Sequence, residues 1–156
     1  MGTITLQIPD GIKPTTELKK RCQLAILPEL AESHALDICG KHFNQNFKLG
    51  KYNSRGFDLI SEDGSIIVEV KQTSRPNSSR GDILQINSTF NKRNICTHML
   101  ILDYYNLPNR CSIIPHDDFF ESKFHGLTKK WRWDIDYGTR MKGNTSLFLE
   151  NEVKIN

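Results

Sequence analysis

Asp58, Glu69 and Lys71 are the residues whose types and spacing best suit chemistry. Glu69 and Lys71 are two positions apart in an otherwise apolar stretch that is typical of a strand, so they share one face. An acid and a base are costly to bury unless they are paired or hold a metal. If Asp58 lies beside Glu69, a hard divalent cation such as Mg²⁺ would relieve the repulsion between the two carboxylates. Such an ion stabilises charge on a phosphate and activates water, and Lys71 would orient that water or stabilise developing charge.

A predicted β-hairpin positions these groups. Its strands span residues 57–60 and 66–73, and its turn, residues 61–65, contains an Asp-Gly pair that is typical of hairpins. The second strand begins as a continuous apolar run, as expected for a strand buried on both faces. The alternative is an exposed hairpin with ordinary surface charges, and the apolar flank favours the buried arrangement.

An acid on one strand followed by Glu-x-Lys on the next resembles the PD-(D/E)xK nuclease superfamily, which includes most type II restriction endonucleases. The resemblance covers residues 56–73, and Phe57 stands where the motif's proline would be. It implies that Asp58 and Glu69 bind Mg²⁺, with Mn²⁺ as an expected substitute, and that Lys71 assists the water. It also implies that the main-chain carbonyl of Val70 joins the metal shell.

The helix before the first motif strand often donates a further Glu in this family, and Glu32 is the preferred candidate here. Glu29 is the alternative. Both residues also fit a simpler role as first-turn acids that are favoured by the helix dipole.

The predicted fold is α/β, with a mixed central β-sheet of four or more strands flanked by helices and a core like that of restriction endonucleases. A helix is predicted to open near residue 15 and to break or kink at Pro28, where a second helix is predicted to restart. Strands are predicted at residues 98–105 and 110–115, a short helix from residue 117, and a last short strand at residues 147–149. The chain is expected to form a single domain over residues 1–156, with residues 1–14 as an arm or short strand.

Composition sets further bounds. Hydrophobic residues make up 37% of the 156, and no apolar run reaches the length of a membrane span. The beginning of the sequence lacks a secretory layout, so a cytoplasmic location is expected. The four cysteines form no C-x-x-C pair, which favours buried reduced thiols over a zinc site. The net charge of +3 permits nucleic-acid binding without demonstrating it.

Basic and amide side chains near the motif are the candidates for contacts with DNA phosphates and bases. They lie in the polar connection before Asp58, in the loop and Lys-Arg cluster after the motif, and in a basic segment with two tryptophans. The candidates are Arg55, Arg75, Arg80, Gln85, Asn87, Lys92, Arg93, Lys129, Lys130 and Arg132. Solvated loops are the alternative for the first two regions, and an edge strand for the third.

The predicted function is a Mg²⁺-dependent endonuclease that hydrolyses phosphodiester bonds of double-stranded DNA, with a small type II restriction endonuclease as the leading interpretation. A homodimer is expected, because one small subunit carries one site and duplex cleavage needs two. The alternatives are a structure-specific, repair or homing nuclease of the same fold, and a catalytically inactive nucleic-acid-binding module.

Overall fold

The structure is a computed structural model that describes residues 3–5, 7–50, 57–73, 76–77, 81–87, 96–104, 109–121, 130–135 and 143–155. The helices of this part of the chain are α1 (Thr16–Phe43), α2 (His116–Glu121) and α3 (Gly143–Glu150). Its strands are β1 (Phe47–Leu49), β2 (Leu59–Ser61), β3 (Ile67–Thr73), β4 (Pro76–Asn77), β5 (Gly81–Asn87), β6 (His98–Asp103), β7 (Arg110–Pro115), β8 (Lys130–Ile135) and β9 (Glu152–Val153). Within these ranges, none of the helices combines the length and apolar character that crossing a membrane requires.

The described strands form two sheets. The larger has six strands in the order β1-β2-β3-β6-β7-β9, and only its β3–β6 pair is parallel. The smaller sheet is antiparallel, with the order β4-β5-β8. This arrangement confirms the predicted α/β fold with a mixed central sheet and flanking helices.

The central strands are buried on both faces. On one face, α1 packs through Ala35 and Cys39 against a cluster that includes Val68, Val70 and Leu100. On the other face, the alternate residues Met99, Ile101 and Ile114 are also fully buried. α3 adds the fully buried Phe148, and this helix contacts β7. In the motif strand β3, Val68 and Val70 are buried on the face toward α1, whereas on the other face Glu69 is buried and Ile67 is half-buried.

Helix α1 is continuous over residues 16–43, so the predicted restart of a second helix at Pro28 is wrong. Thr15 caps the helix by accepting a hydrogen bond from the Leu18 N–H at 3.1 Å, and Asn44 ends it in the left-handed conformation with φ of 52°. Pro28 lies inside the helix and is exposed, so its ring has room on the solvent side. Its missing N–H removes one helical hydrogen bond. The turns after Pro28 bury Ala31 and Ala35 on the sheet, and this packing holds the helix together.

Two further predictions of secondary structure are wrong. The connection before the motif, predicted as a loop, contains β1, which pairs with β2. The final strand predicted at residues 147–149 is instead part of α3, and β9 follows it. The described residues among 3–14 are exposed and irregular, with a turn at residues 9–12 that is closed by a 3.3 Å hydrogen bond. Residues 88–95, which contain the predicted Lys-Arg cluster, and most of the predicted loop after the motif lie outside the described residues.

Candidate active site

The register of the β2–β3 hairpin brings the two motif acids together. Leu59 pairs with Val68 and Ile60 pairs with Ile67, so one more step places Asp58 opposite Glu69. The Asp58 N–H donates to the Val68 carbonyl at 2.9 Å and extends the pairing to this point. Residues that lie opposite each other in an antiparallel pair project from the same face. The sequence prediction depended on this register.

The Asp58 carboxylate is fixed against the neighbouring strand. Its Oδ2 accepts a hydrogen bond of 2.7 Å from the N–H of Val70, the middle residue of the Glu-x-Lys motif. The Asp58 side chain is half-buried, so this bond is partly shielded from water. The bond therefore holds the first acid over the motif. The role of the Val70 carbonyl as a metal ligand stays a prediction.

Glu69 and Lys71 form an ion pair between Oε1 and Nζ. Glu69 is 8% exposed, and the Lys71 side chain is 27% exposed. The pair thus lies at the margin of the buried core, with the Glu69 carboxylate mostly covered and Lys71 more exposed. A lysine in this position supplies a positive charge beside both acids while staying accessible from solvent.

Burial is the main influence on the two acids. It raises the pKa of Asp58 above its usual range, while the Val70 N–H and the charge of Lys71 act in the opposite direction. Burial also raises the pKa of Glu69, Lys71 opposes this, and the charge of Asp58 adds to it. Two carboxylates that are partly desolvated and repel each other are best stabilised by a further positive charge.

Glu32 of α1 lies close enough to Asp58, Glu69 and Lys71 for their charges to affect its pKa. Burial, and next the charge of Asp58, raise the pKa of Glu32 from 4.5 to about 7, with smaller contributions from Glu29 and Glu69. Lys71 acts in the opposite direction. Glu29 is exposed on the same helix. The structure thus brings Glu32 near the motif, and its part in metal binding stays a prediction.

The described residues contain no group of three or more His, Cys, Asp or Glu side chains placed to hold a metal ion. Glu32 therefore does not complete a three-ligand cluster with Asp58 and Glu69. A pair of carboxylates without such a cluster suits Mg²⁺, which usually takes one or two carboxylates and fills its other positions with water and substrate phosphate oxygens. The donor set of hard oxygens fits this ion.

Gly50 supports the strand of Asp58, and Cys96 lies near Glu69; neither was singled out from the sequence for a role at the site. The Gly50 N–H donates to the Asp58 carbonyl at 2.7 Å, and a Cβ on Gly50 would lie 3.3 Å from the same oxygen. A side chain there would press on the strand that carries Asp58. Cys96 is buried, and burial followed by the charge of Glu69 raises the pKa of its thiol to about 12. In the sequence, Gly50 is simply a glycine shortly before the motif, and nothing near it indicates the contact with Asp58.

The predicted DNA-contacting residues divide into two groups. Those outside the described residues are Arg55, Arg75, Arg80, Lys92, Arg93 and Lys129. The other four lie on paired strands of the smaller sheet, where Gln85 is opposite Arg132 and Asn87 is opposite Lys130. This pairing brings two separate candidate regions of the sequence side by side, and the segment with the two tryptophans is a strand.

Comparisons with known proteins address the fold. No protein-family model and no curated protein matches the chain. Among solved structures, the fold is similar to that of a bacterial homing endonuclease, I-Ssp6803I, with a TM-score of 0.50 and 14% sequence identity. The match covers 86% of this chain and 87% of that chain. At this identity the likeness concerns the fold. This chain therefore shares the overall α/β fold of that structure.

Proposed function

We propose that this protein is a Mg²⁺-dependent DNA endonuclease that hydrolyses phosphodiester bonds. The observation that carries the proposal is the convergence of Asp58, Glu69 and Lys71 at the edge of a buried sheet. The fold similarity to a homing endonuclease supports it. A surface hairpin with ordinary charges would not hold Glu69 at 8% exposure beside a second acid.

Asp58 and Glu69 are the residues that would hold Mg²⁺, with the Val70 carbonyl as the proposed main-chain ligand. Bound there, Mg²⁺ would stabilise negative charge on the phosphate and make a bound water more acidic. Burial raises the pKa values of both acids, and a cation bound between them would lower these values again because it favours the charged carboxylates.

The chain's own residues have distinct roles in this proposal. Lys71 is the group that orients the attacking water or stabilises charge that develops on the phosphate. Its ion pair with Glu69 limits the positions that the ammonium can reach. Asp58 is positioned by the Val70 N–H, and Gly50 positions the strand of Asp58. Glu32 is a candidate additional acid, whose charge would favour binding of a divalent cation.

Double-stranded DNA is the proposed substrate. The residues on β5 and β8, together with the basic candidates outside the described ranges, are proposed to contact phosphates and base edges. Contacts of this kind make binding strongly dependent on salt concentration, because DNA binding releases counterions.

The test is to incubate the purified protein with plasmid and phage DNA in Mg²⁺, in Mn²⁺ and in EDTA. Lys71→Ala removes the proposed catalytic ammonium, and Lys41→Ala is the matched control, because Lys41 is an exposed lysine paired with Asp37 on α1. We expect cleavage in the wild type and in Lys41→Ala, with a loss of at least about 100-fold in Lys71→Ala. DNA binding without cleavage in either metal, both in these DNAs and in a library of random sequences that would contain rare sites, would contradict the enzyme proposal and favour an inactive binding module.

The pattern of fragments distinguishes the biological roles. Discrete and frequent cuts indicate a short recognition sequence, which fits our leading proposal of a type II restriction endonuclease. A homing role is the second candidate, because the similar fold belongs to a homing endonuclease. Such a role requires a long, rare recognition sequence, so it predicts few cuts or none in these DNAs. A smear that is lost in Lys71→Ala indicates a repair or structure-specific nuclease.

A further inference from the structure

The first half of α1 carries an apolar ridge that does not belong to the described core cluster. Its members are spaced four residues apart: Leu18, Cys22, Ile26 and Leu30. Leu18 is 41% exposed and Leu30 is 44% exposed, while Cys22 and Ile26 are half-buried. Among the side chains described between residues 16 and 30, none is buried. We call these four residues the apolar ridge.

The apolar ridge points away from the protein's core. The residues of α1 that pack on the sheet begin at Ala31 and continue with Ala35 and Ile38. At about 100° of rotation per residue, these positions lie on nearly the opposite side of the helix from the apolar ridge. The sheet therefore does not cover the ridge. Large exposed apolar side chains in a row are a feature of interaction surfaces.

Charged residues beside the apolar ridge would meet opposite charges if a two-fold axis related two antiparallel copies of α1. Lys19 lies five residues before position 24, and Glu29 lies five residues after it. Both are exposed, and among the described residues neither forms a salt bridge, whereas the nearby Glu17 and Arg21 pair with each other. In an antiparallel pair of helices centred beside position 24, Lys19 would face Glu29 of the partner subunit, twice. A parallel pair would place like charges together.

We propose that the apolar ridge is a self-association surface on which α1 crosses α1 of a second copy of this chain, antiparallel and two-fold. Leu18 then packs beside Leu30 of the partner subunit, and Cys22 packs beside Ile26 of the partner subunit. This inference does not depend on the proposed nuclease function.

The size of the surface predicts a dimer of moderate strength. A stable interface usually buries about 800 Å² on each partner, which is more than one helix crossing supplies. The segment just before α1 adds exposed apolar side chains, with Ile4 at 53%, Ile8 at 42% and Ile12 at 56% exposure. We expect a dissociation constant on the order of micromolar.

The first experiment is sedimentation velocity of the full chain from about 1 to 200 μM, around the dissociation constant expected above. The wild type should shift from monomer to dimer, and the double variant Leu18→Glu, Leu30→Glu should stay monomeric. Leu49→Glu is the matched control, because Leu49 is 49% exposed but lies on β1. Circular dichroism and urea unfolding establish that each variant folds. A wild type that stays monomeric, or a double variant that dimerises like it, overturns the proposal.

Two further variants test the antiparallel register. Lys19→Glu and Glu29→Lys should each weaken the dimer about three-fold or more, and combining them should restore it. Cys22 is half-buried, whereas the other three cysteines are buried. Ile26→Cys should therefore crosslink to Cys22 of the partner subunit under mild oxidation, and Lys20→Cys on another face of the helix should not. Failure of the combined charge swap, or equal crosslinking at both positions, overturns the antiparallel arrangement. None of these assays uses DNA or metal, so their outcome is separate from that of the cleavage test.

Discussion

Replacing Glu32 by Gln should stabilise the metal-free protein at alkaline pH. Burial and the charge of Asp58 raise the pKa of Glu32 from 4.5 to about 7 in the folded chain. Between these two values the folded state binds more protons than the unfolded state, so stability falls as pH rises. The contribution of Glu32 is fully present below pH 4.5 and is lost as pH passes through about 7. Gln cannot ionise, so the variant lacks this loss.

The magnitude follows from the change in pKa. Each pH unit corresponds to about 1.4 kcal/mol, so a rise from 4.5 to about 7 sets an upper limit of about 3 kcal/mol. Glu32 is only partly buried, and solvent screening reduces the expected value to about 1 kcal/mol. We therefore expect Glu32→Gln to be about 1 kcal/mol more stable than the wild type at pH 8, with a smaller difference at pH 5.

The assay is urea unfolding between pH 5 and pH 8 with EDTA present, since a bound cation would favour the charged carboxylate. Glu29→Gln is the matched control: it removes the same charge from an exposed position one turn earlier on α1. Glu29→Gln should change the stability at pH 8 less, because the charge of Glu29 raises the pKa of Glu32 less than burial and the charge of Asp58 do. Equal pH dependence in Glu32→Gln and the wild type would refute the placement of Glu32 beside the acidic pair.

Three other predictions concern the frame of the site and the core. Gly50→Ala should displace the strand of Asp58 and lower the free energy of unfolding by about 1–3 kcal/mol. It should also lower the cleavage rate by more than the loss of folded protein accounts for. Gly40→Ala, whose added Cβ would make only ordinary contact, should have neither effect. Burial lowers the pKa of His98, so stability should decline as pH falls below 6.5, and His98→Gln should flatten that decline in urea unfolding. Phe148→Ala should cost about 3–5 kcal/mol in the same assay, because Phe148 is fully buried; a loss below 1 kcal/mol would contradict its place in the core.

The arrangement of the candidate site was predictable because its residues are close together in the sequence. Asp58, Glu69 and Lys71 lie on one hairpin, and period-two alternation places the last two on one face. Strong apolar runs predicted β6 and β7 for the same reason. The register was open in the sequence, because a shift of one residue would have moved Asp58 to the other face.

What the sequence did not predict depends on tertiary packing. Pro28 signals a break, and only the burial of the following turns against the sheet explains why α1 continues. The three residues of β1 form a strand because β2 offers an open edge for pairing. Residues 147–149 are short and apolar, a pattern that fits either a strand or a buried helix. Gly50 matters through a backbone approach that no local pattern contains.

The parallel pairing of β3 with β6 has a consequence for the order of folding. The β2–β3 hairpin closes a short loop, whereas a parallel pair needs a long crossover, whose closure costs more chain entropy. Local contacts form faster than distant ones. We therefore expect the hairpin to gather the acids and the lysine early, while they are still hydrated. Docking of β6 and α1 then removes water from the two carboxylates and the ammonium, which are already neighbours. The pKa values of the acids would therefore shift only late in folding, when the sheet is assembled.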